Sequence, residues 1–184
     1  MRFALIALGA NLSGPWGRPI DTLRTAVIQL RDHGIDIVRV SSLYVTAPIG
    51  GVRQASYLNA VVLAKINVAP AALLRFLKVV ERNSGRRLGV HWGPRTLDLD
   101  IVDFGGTVIA WPPGRRTRGR LILPHPEAHK RAFVLVPVSE VMPKWHHPTL
   151  NVRASTLVSR LGSQRRGVRR VIDPNWISCH EGES

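Results

Sequence analysis

Residues 3 to 8 form a short apolar run, which reads as a strand running into Gly9. Pro19 and Asp21 then open a helix with Leu23, Ala26, Val27 and Leu30 at helical spacing, and Gly34 marks its end. Ile35 to Val45 reads as a second strand, carried by Ile35, Ile37, Val38 and Val40. A loop with Pro and Gly follows from Thr46 to Ser56, and a third strand runs from Tyr57 to Ile66. Pro70 begins a second helix with Leu73, Leu74, Leu77, Val80 and Glu81 on its pattern, and the loop Gly85 to Pro94 leads into a strand around Asp98 and Asp100. The order β-α-β-β-α-β is the split βαβ, or ferredoxin-like, arrangement. The predicted class is therefore α+β: a mainly antiparallel sheet with helices on one face and the other face left free for ligands. Gly105-Gly106 predicts a tight turn into a short extra strand, Thr107 to Ala110. Beyond Pro143 the apolar pattern fades except for a short helix near Ser155 to Leu161. We expect a domain over residues 1–145 and a basic, partly disordered C-terminal extension over 146–184.

Composition narrows this picture. A chain of 184 residues, 45% hydrophobic, fits one domain with a sizeable core and excludes global disorder. No apolar run approaches the roughly 18 residues that a membrane helix needs. The apolar N-terminal run is too short for a secretory segment, and the single cysteine, Cys179, excludes an internal disulfide framework. A cytoplasmic location is the expectation, with no membrane partner. The formal net charge of +14 points to polyanionic ligands. It is concentrated in two clusters, Arg115 to Arg120 and Arg165 to Arg170, neither interleaved with the aromatics of a single-strand binding surface. Both read as solvated, mobile segments, so removing residues past about 165 is expected to change little. A nucleic-acid-binding module on the same fold is the alternative this charge raises, but aromatic residues make up only 6% of the chain.

The chemistry is concentrated in Trp92-Gly93-Pro94-Arg95-Thr96-Leu97-Asp98-Leu99-Asp100-Ile101. On a strand, Asp98 and Asp100 point to one face while Leu97, Leu99 and Ile101 point to the other. Two like charges so close repel unless a cation lies between them or one is protonated. Magnesium suits such a pair, because it takes one or two carboxylates and completes its shell with substrate phosphates. Arg86, Arg87 and Arg95 lie near enough in sequence to serve a polyphosphate. The plainer reading is that Asp-x-Asp is only the solvated face of a half-covered sheet; a metal-dependent nuclease is a further alternative. Neither a P-loop nor a dinucleotide-binding glycine motif occurs, so any nucleotide must be held by loops and arginines. His125 sits in a rigid Pro-His-Pro turn six residues before Arg131, where the pair is able to cap a phosphate. Tyr57 and Asn59 share a strand face, an aromatic plate beside an amide, which suits a flat heterocycle as well as it suits a core pair.

Taken together, the blocks Leu8-Gly9-Ala10-Asn11-Leu12, Ser42 to Gly50, Tyr57 to Val61, Glu81 with Gly85-Arg86, Trp92 to Ile101, and Pro124-His125-Pro126 through Arg131 to Leu135 resemble the 6-hydroxymethyl-7,8-dihydropterin pyrophosphokinase family of folate biosynthesis. The resemblance runs in family order from about residue 3 to Pro143. It implies transfer of an intact pyrophosphoryl group from ATP to the pterin hydroxymethyl oxygen, releasing AMP. It further implies that Asp98 and Asp100 bind two Mg²⁺ ions, and that Arg86, Arg87, Arg95, His125 and Arg131 hold ATP, with Arg86 and Arg95 also catalytic. The pterin would lie between Tyr57 and Phe133, hydrogen-bonded by Thr46 and Asn59, walled by Ile49 and covered by Trp92. A monomer acting on these small molecules is expected. The sequence departs from the family pattern in Arg86-Arg87-Leu88, where the second loop arginine is displaced, and in Asp103, which falls where an apolar residue is common and reads as surface.

Overall fold

The structure, a computed structural model, describes residues 1–48, 55–86, 95–114 and 120–177. Among these, β1 (Arg2–Ala10), α1 (Pro19–Asp32), β2 (Asp36–Val40), β3 (Leu43–Thr46), β4 (Tyr57–Ile66), α2 (Pro70–Asn83) and β5 (Asp98–Phe104) realise the β-α-β-β-α-β order, with the second strand broken in two. They are followed by α3 (Ala132–Val141), α4 (Ala154–Arg160), α5 (Ser163–Arg166) and β6 (Arg169–Ile172). The sheet runs β5-β1-β4-β3-β6 with β2 also against β4, and every pairing is antiparallel. β1 therefore lies between β4 and the edge strand β5. The fold is the ferredoxin-like α+β arrangement.

The break between β2 and β3 has a local cause. Ser41 sits buried at the junction, where its hydroxyl donates to the Ser42 carbonyl and accepts the Val61 N–H, replacing a regular ladder bond. Prolines at the first turn start both α1 and α2, as the sequence predicts. α2 ends on Gly85 at φ +84°, where a side chain would also run into Pro15. The reversal sends Arg86 back under the helix, with its N–H on the Glu81 carbonyl.

Two cores sandwich the sheet. The first lies under α1 and α2 and holds Ile6, Leu8, Leu23, Leu30, Leu77, Leu97, Leu99 and Ile101. The second, which the hydrophobic pattern does not reveal, lies under α3 and α4 and holds Leu5, Val61, Leu63, Val102, Leu135, Val138 and Leu157. The expectation of helices on one face is thus corrected: the opposite face is covered over half its length. α3 escapes a reading based on amphipathic period because it is apolar on nearly all sides and carries Pro137 inside it. The short helix near Ser155 is present, as α4. The extra strand Thr107 to Ala110 is not. The Gly105-Gly106 turn forms, but Ile109 then makes only an isolated bridge with Leu123.

The C-terminal extension is corrected as well. Residues 163–172, read as mobile, form α5 and then β6, which pairs with β3. Trp176 follows, 1% exposed in the first core; its indole N–H donates to the Ser41 carbonyl, and Arg24 Nε donates to the Trp176 carbonyl at 2.6 Å. The Arg115–Gly119 part of the first arginine cluster, together with Cys179 and the last residues, lies outside the described residues.

Candidate active site

Residues Ala7 and Gly9 of β1 are small and lie on the second sheet face. The ladder sets Gly9 directly between Asn59 on β4 and Asp98 on β5, and Ala7 between Val61 and Asp100. Neighbouring strands stand about 4.8 Å apart, so the Asn59 and Asp98 backbones face each other across about 10 Å of nearly bare floor. α3 and α4 cover this face beside Leu5, Val61 and Leu63 but stop short of Gly9. What remains is an open cleft on the second sheet face. Asp98, Asp100 and Arg95 form one side of it, Thr46, Tyr57 and Asn59 the other, and Arg131 and Phe133 from the start of α3 overhang it.

Asp98 and Asp100 face the cleft together, as the period-two reading requires. In this structure their charges meet cations from the flanking segments. Oδ1 of Asp98 accepts from Nη1 of both Arg86 and Arg95, each at 2.7 Å. Around Asp100, Lys78 Nζ lies 3.9 Å from Oδ1 and His125 Nε2 lies 3.6 Å from Oδ2. Burial disfavours the charged form of Asp98, but the Arg95 and Arg86 guanidiniums outweigh it and hold its carboxyl below the usual range. His125 Nδ1 accepts the Glu127 N–H at 3.1 Å, which leaves the proton of the neutral ring on Nε2, aimed at Asp100. Burial depresses the His125 pKa against the opposing pull of Asp100. Two hard carboxylates on one open face, ringed by Lys78, Arg86, Arg95 and Arg131, fit a divalent cation together with a polyphosphate.

Two supporting residues do not emerge from the sequence as site residues. Glu81, 2% exposed on α2, accepts the Leu99 N–H at 2.7 Å and pairs with Lys78 at 2.7 Å and Arg86 at 2.6 Å. Lys78 also donates to the Leu99 carbonyl at 3.1 Å. The residue between the two aspartates is thus gripped at both its peptide groups, which satisfies the outer edge of β5 and fixes the direction of both carboxylates. The signal available was a charged residue at a core position of α2. Asn11 is the other: its side-chain oxygen accepts the Arg95 N–H at 2.8 Å, while the Asn11 and Leu12 N–H groups donate to the Arg95 carbonyl.

On the opposite side, Asn59 Nδ2 donates to Thr46 Oγ1 at 2.9 Å; Asn59 is 5% and Thr46 8% exposed. Tyr57 pairs with Thr46 in the ladder, and Arg131 stands 5.9 Å over the Phe133 ring. The structure therefore brings together Thr46, Tyr57, Asn59, Arg86, Arg95, Asp98, Asp100, His125, Arg131 and Phe133. Ile49, Arg87 and Trp92 lie outside the described residues. Asp103, read as surface, is 7% exposed: the ladder skips Val102, and Asp103 turns to the second face, where it accepts from the Trp145 indole and the Gly106 N–H.

Comparison with known proteins identifies the family. Residues 5–143 match the model of the family described as 7,8-dihydro-6-hydroxymethylpterin-pyrophosphokinase (HPPK). The chain is 36% identical over 166 residues to the 2-amino-4-hydroxy-6-hydroxymethyldihydropteridine pyrophosphokinase of Bacillus subtilis, covering 90% of this chain and 93% of that one. It is 37% identical to the enzyme of the same name from Pseudomonas aeruginosa, covering 78% of this chain and 82% of that one. In fold it is similar to Plasmodium falciparum HPPK-DHPS, with a TM-score of 0.70 at 14% identity; the match covers 92% of this chain and 47% of that longer chain. From its cleft, its sequence and its sheet, the chain belongs to the 7,8-dihydro-6-hydroxymethylpterin-pyrophosphokinase family.

Proposed function

We propose that this pyrophosphokinase of folate synthesis uses the cleft beside β1 to transfer a pyrophosphoryl group from ATP to 6-hydroxymethyl-7,8-dihydropterin, with Asp98 and Asp100 as the magnesium ligands. The observation that carries the reading is the placement of two same-facing carboxylates across Gly9 and Ala7 from an aromatic-amide pair on the same sheet face. The pterin would lie on the bare floor between Tyr57 and Phe133, its polar edge on Asn59 and Thr46. The mutual Asn59–Thr46 hydrogen bond orients the amide before the substrate arrives. Its hydroxymethyl carbon would then point across Gly9 toward Asp98.

In the reaction the hydroxymethyl oxygen bonds to the β-phosphorus of ATP, the bond from that phosphorus to the α,β-bridging oxygen breaks, AMP leaves, and the hydroxyl proton is lost. Two magnesium ions held by Asp98 and Asp100 would neutralise phosphate charge and align the attacking and leaving oxygens. Arg86 and Arg95, paired with Asp98 here, are positioned to turn toward the phosphates. Arg131 from above and the Nε2–H of His125 supply further donors. Positioning and electrostatics are the main tools of such chemistry, and this ring of donors supplies both. The working unit is proposed to be a monomer. The single cysteine supports a cytoplasmic setting, and among the described residues no helix is long and apolar enough to cross a membrane. A nucleic-acid-binding face would present exposed sheet aromatics, whereas Tyr57 and Phe133 line the cleft.

Product analysis tests the reading. With ATP, Mg²⁺ and the hydroxymethyl pterin, AMP and pterin diphosphate should form in equal amounts, and neither should form when the pterin is left out. ADP as the nucleotide product, or AMP release independent of the pterin, overturns it.

A further inference from the structure

Glu140 lies on α3, seven residues and two helical turns beyond Phe133, so both project from one side of the helix. Its carboxylate leaves the helix and reaches β3. Oε2 accepts the Ser42 N–H and the Tyr44 hydroxyl, both at 2.9 Å, and Oε1 accepts the Ser42 hydroxyl at 2.7 Å. Arg170 of β6 stands 3.9 Å from Oε1. Neither Glu140 nor these partners line the cleft, yet both elements they join do supply its walls. α3 carries Arg131 and Phe133 at its start. β3 carries Thr46 two residues beyond Tyr44, on the same face, and Tyr44 itself pairs with Asn59 in the ladder.

Apolar packing alone does not fix the position of α3 along the sheet. Contact between Val138, Leu135 and the sheet residues Val61 and Leu63 is non-directional and singles out no one hydrogen-bonding register for the helix. Three donors converging on one carboxylate at hydrogen-bond length are directional and charge-assisted. We propose that Glu140 is a positioning residue: by clamping α3 to Ser42 and Tyr44 it sets the gap between the Phe133 wall and the Thr46–Asn59 wall, and so the fit of the pterin. This rests on the assignment of that gap to the pterin.

Steady-state kinetics on the full chain, with each substrate varied in turn, test it on Glu140→Ala, Glu140→Gln and Tyr44→Phe, alongside thermal unfolding of each. Glu140→Ala should raise the pterin KM about tenfold, while the ATP KM and kcat move by less than about threefold, because the clamp acts on the pterin walls and not on the aspartates. Glu140→Gln should recover most of the loss: its oxygen still accepts, and the Ser42 hydroxyl is able to turn and accept from the new amide. Tyr44→Phe, which removes one of three donors, should raise the pterin KM about two- to threefold, in keeping with the net worth of one hydrogen bond. A folded Glu140→Ala variant with an unchanged pterin KM overturns the inference, and so does a fall in kcat with both KM values unmoved. Should Glu140→Ala fail to fold, Tyr44→Phe decides, and an unchanged pterin KM there overturns it. A wild-type chain without pterin turnover is a separate outcome; it removes the function itself and this inference with it.

Discussion

Asp98 and Asp100 do two jobs at once in this structure. Asp98 is the acceptor that gathers Arg86 and Arg95 to the cleft, and Asp100 stands between Lys78 and His125. Their side chains are 26% and 31% exposed at the cleft, and an asparagine at either position keeps the volume and an oxygen acceptor for the same cations. Asp98→Asn and Asp100→Asn should each lower kcat by about a thousandfold or more, while the denaturation free energy changes by less than about 1 kcal/mol. Turnover assays paired with urea unfolding check this; a variant that keeps near-normal activity removes the aspartates from the mechanism. At this scale the sequence was a good guide where the chemistry follows the strand period. It was silent on Glu81 as the grip on Leu99, because that role depends on α2 lying against the β5 edge. It misread Asp103, because a skipped residue in the β1–β5 ladder leaves no mark on hydrophobic alternation.

Among the elements, the C-terminal latch departs most from its reading. β6 adds a strand beside β3, and Trp176 plugs the first core while bonding the carbonyl of Ser41, the residue that breaks β2 from β3. The latch thus supports β3, the strand that carries Thr46 into the cleft. Trp176→Ala should cost about 3–5 kcal/mol in urea unfolding, in line with large-to-small core replacements. Trp176→Phe, which keeps most of the volume but loses the indole donor, should cost about 1–2 kcal/mol. Equal and small losses for both would mean that the tail is only laid on the surface. The latch was hidden from the sequence because its strand is four residues long with no buried position, so it carries no apolar period. α3 was hidden for the opposite reason, being apolar on nearly every side.

On the scale of the whole molecule, a buried histidine ties stability to pH. His147 is 0% exposed beside Trp111, Trp145 and His129, and its Nδ1 accepts the Thr149 and Leu150 N–H groups and contacts the Thr149 hydroxyl. Burial, with His129 nearby, lowers its pKa from 6.5 to about 4. A folded-state pKa below the unfolded value means that the neutral form stabilises the fold. That contribution is complete above about pH 6.5 and is lost as pH falls to about 4, a change on the order of 3 kcal/mol. Urea midpoints measured between pH 7 and 4 should fall accordingly. His147→Asn, whose side-chain oxygen replaces Nδ1 as acceptor, should flatten the profile; an unchanged slope would assign the acid sensitivity elsewhere.

The same scale separates what the chain encodes locally from what folding adds. By itself the sequence determined the order of strands and helices as far as β5 and the shared face of Asp98 and Asp100. Through the family resemblance of its short motifs it also named the candidate arginines, aromatics and amides of the proposed pyrophosphokinase site. These follow from hydrophobic period, turn residues and short motifs, all of which act over a few neighbours. Only the tertiary structure decided that the second sheet face is half covered, that the uncovered half lies over Gly9 and Ala7, and that Glu81, Glu140 and Trp176 hold its walls. Each of those facts is a contact between residues far apart in the chain. Such contacts are set by which surfaces must be buried together and which polar groups must then find partners, and no local pattern records that choice.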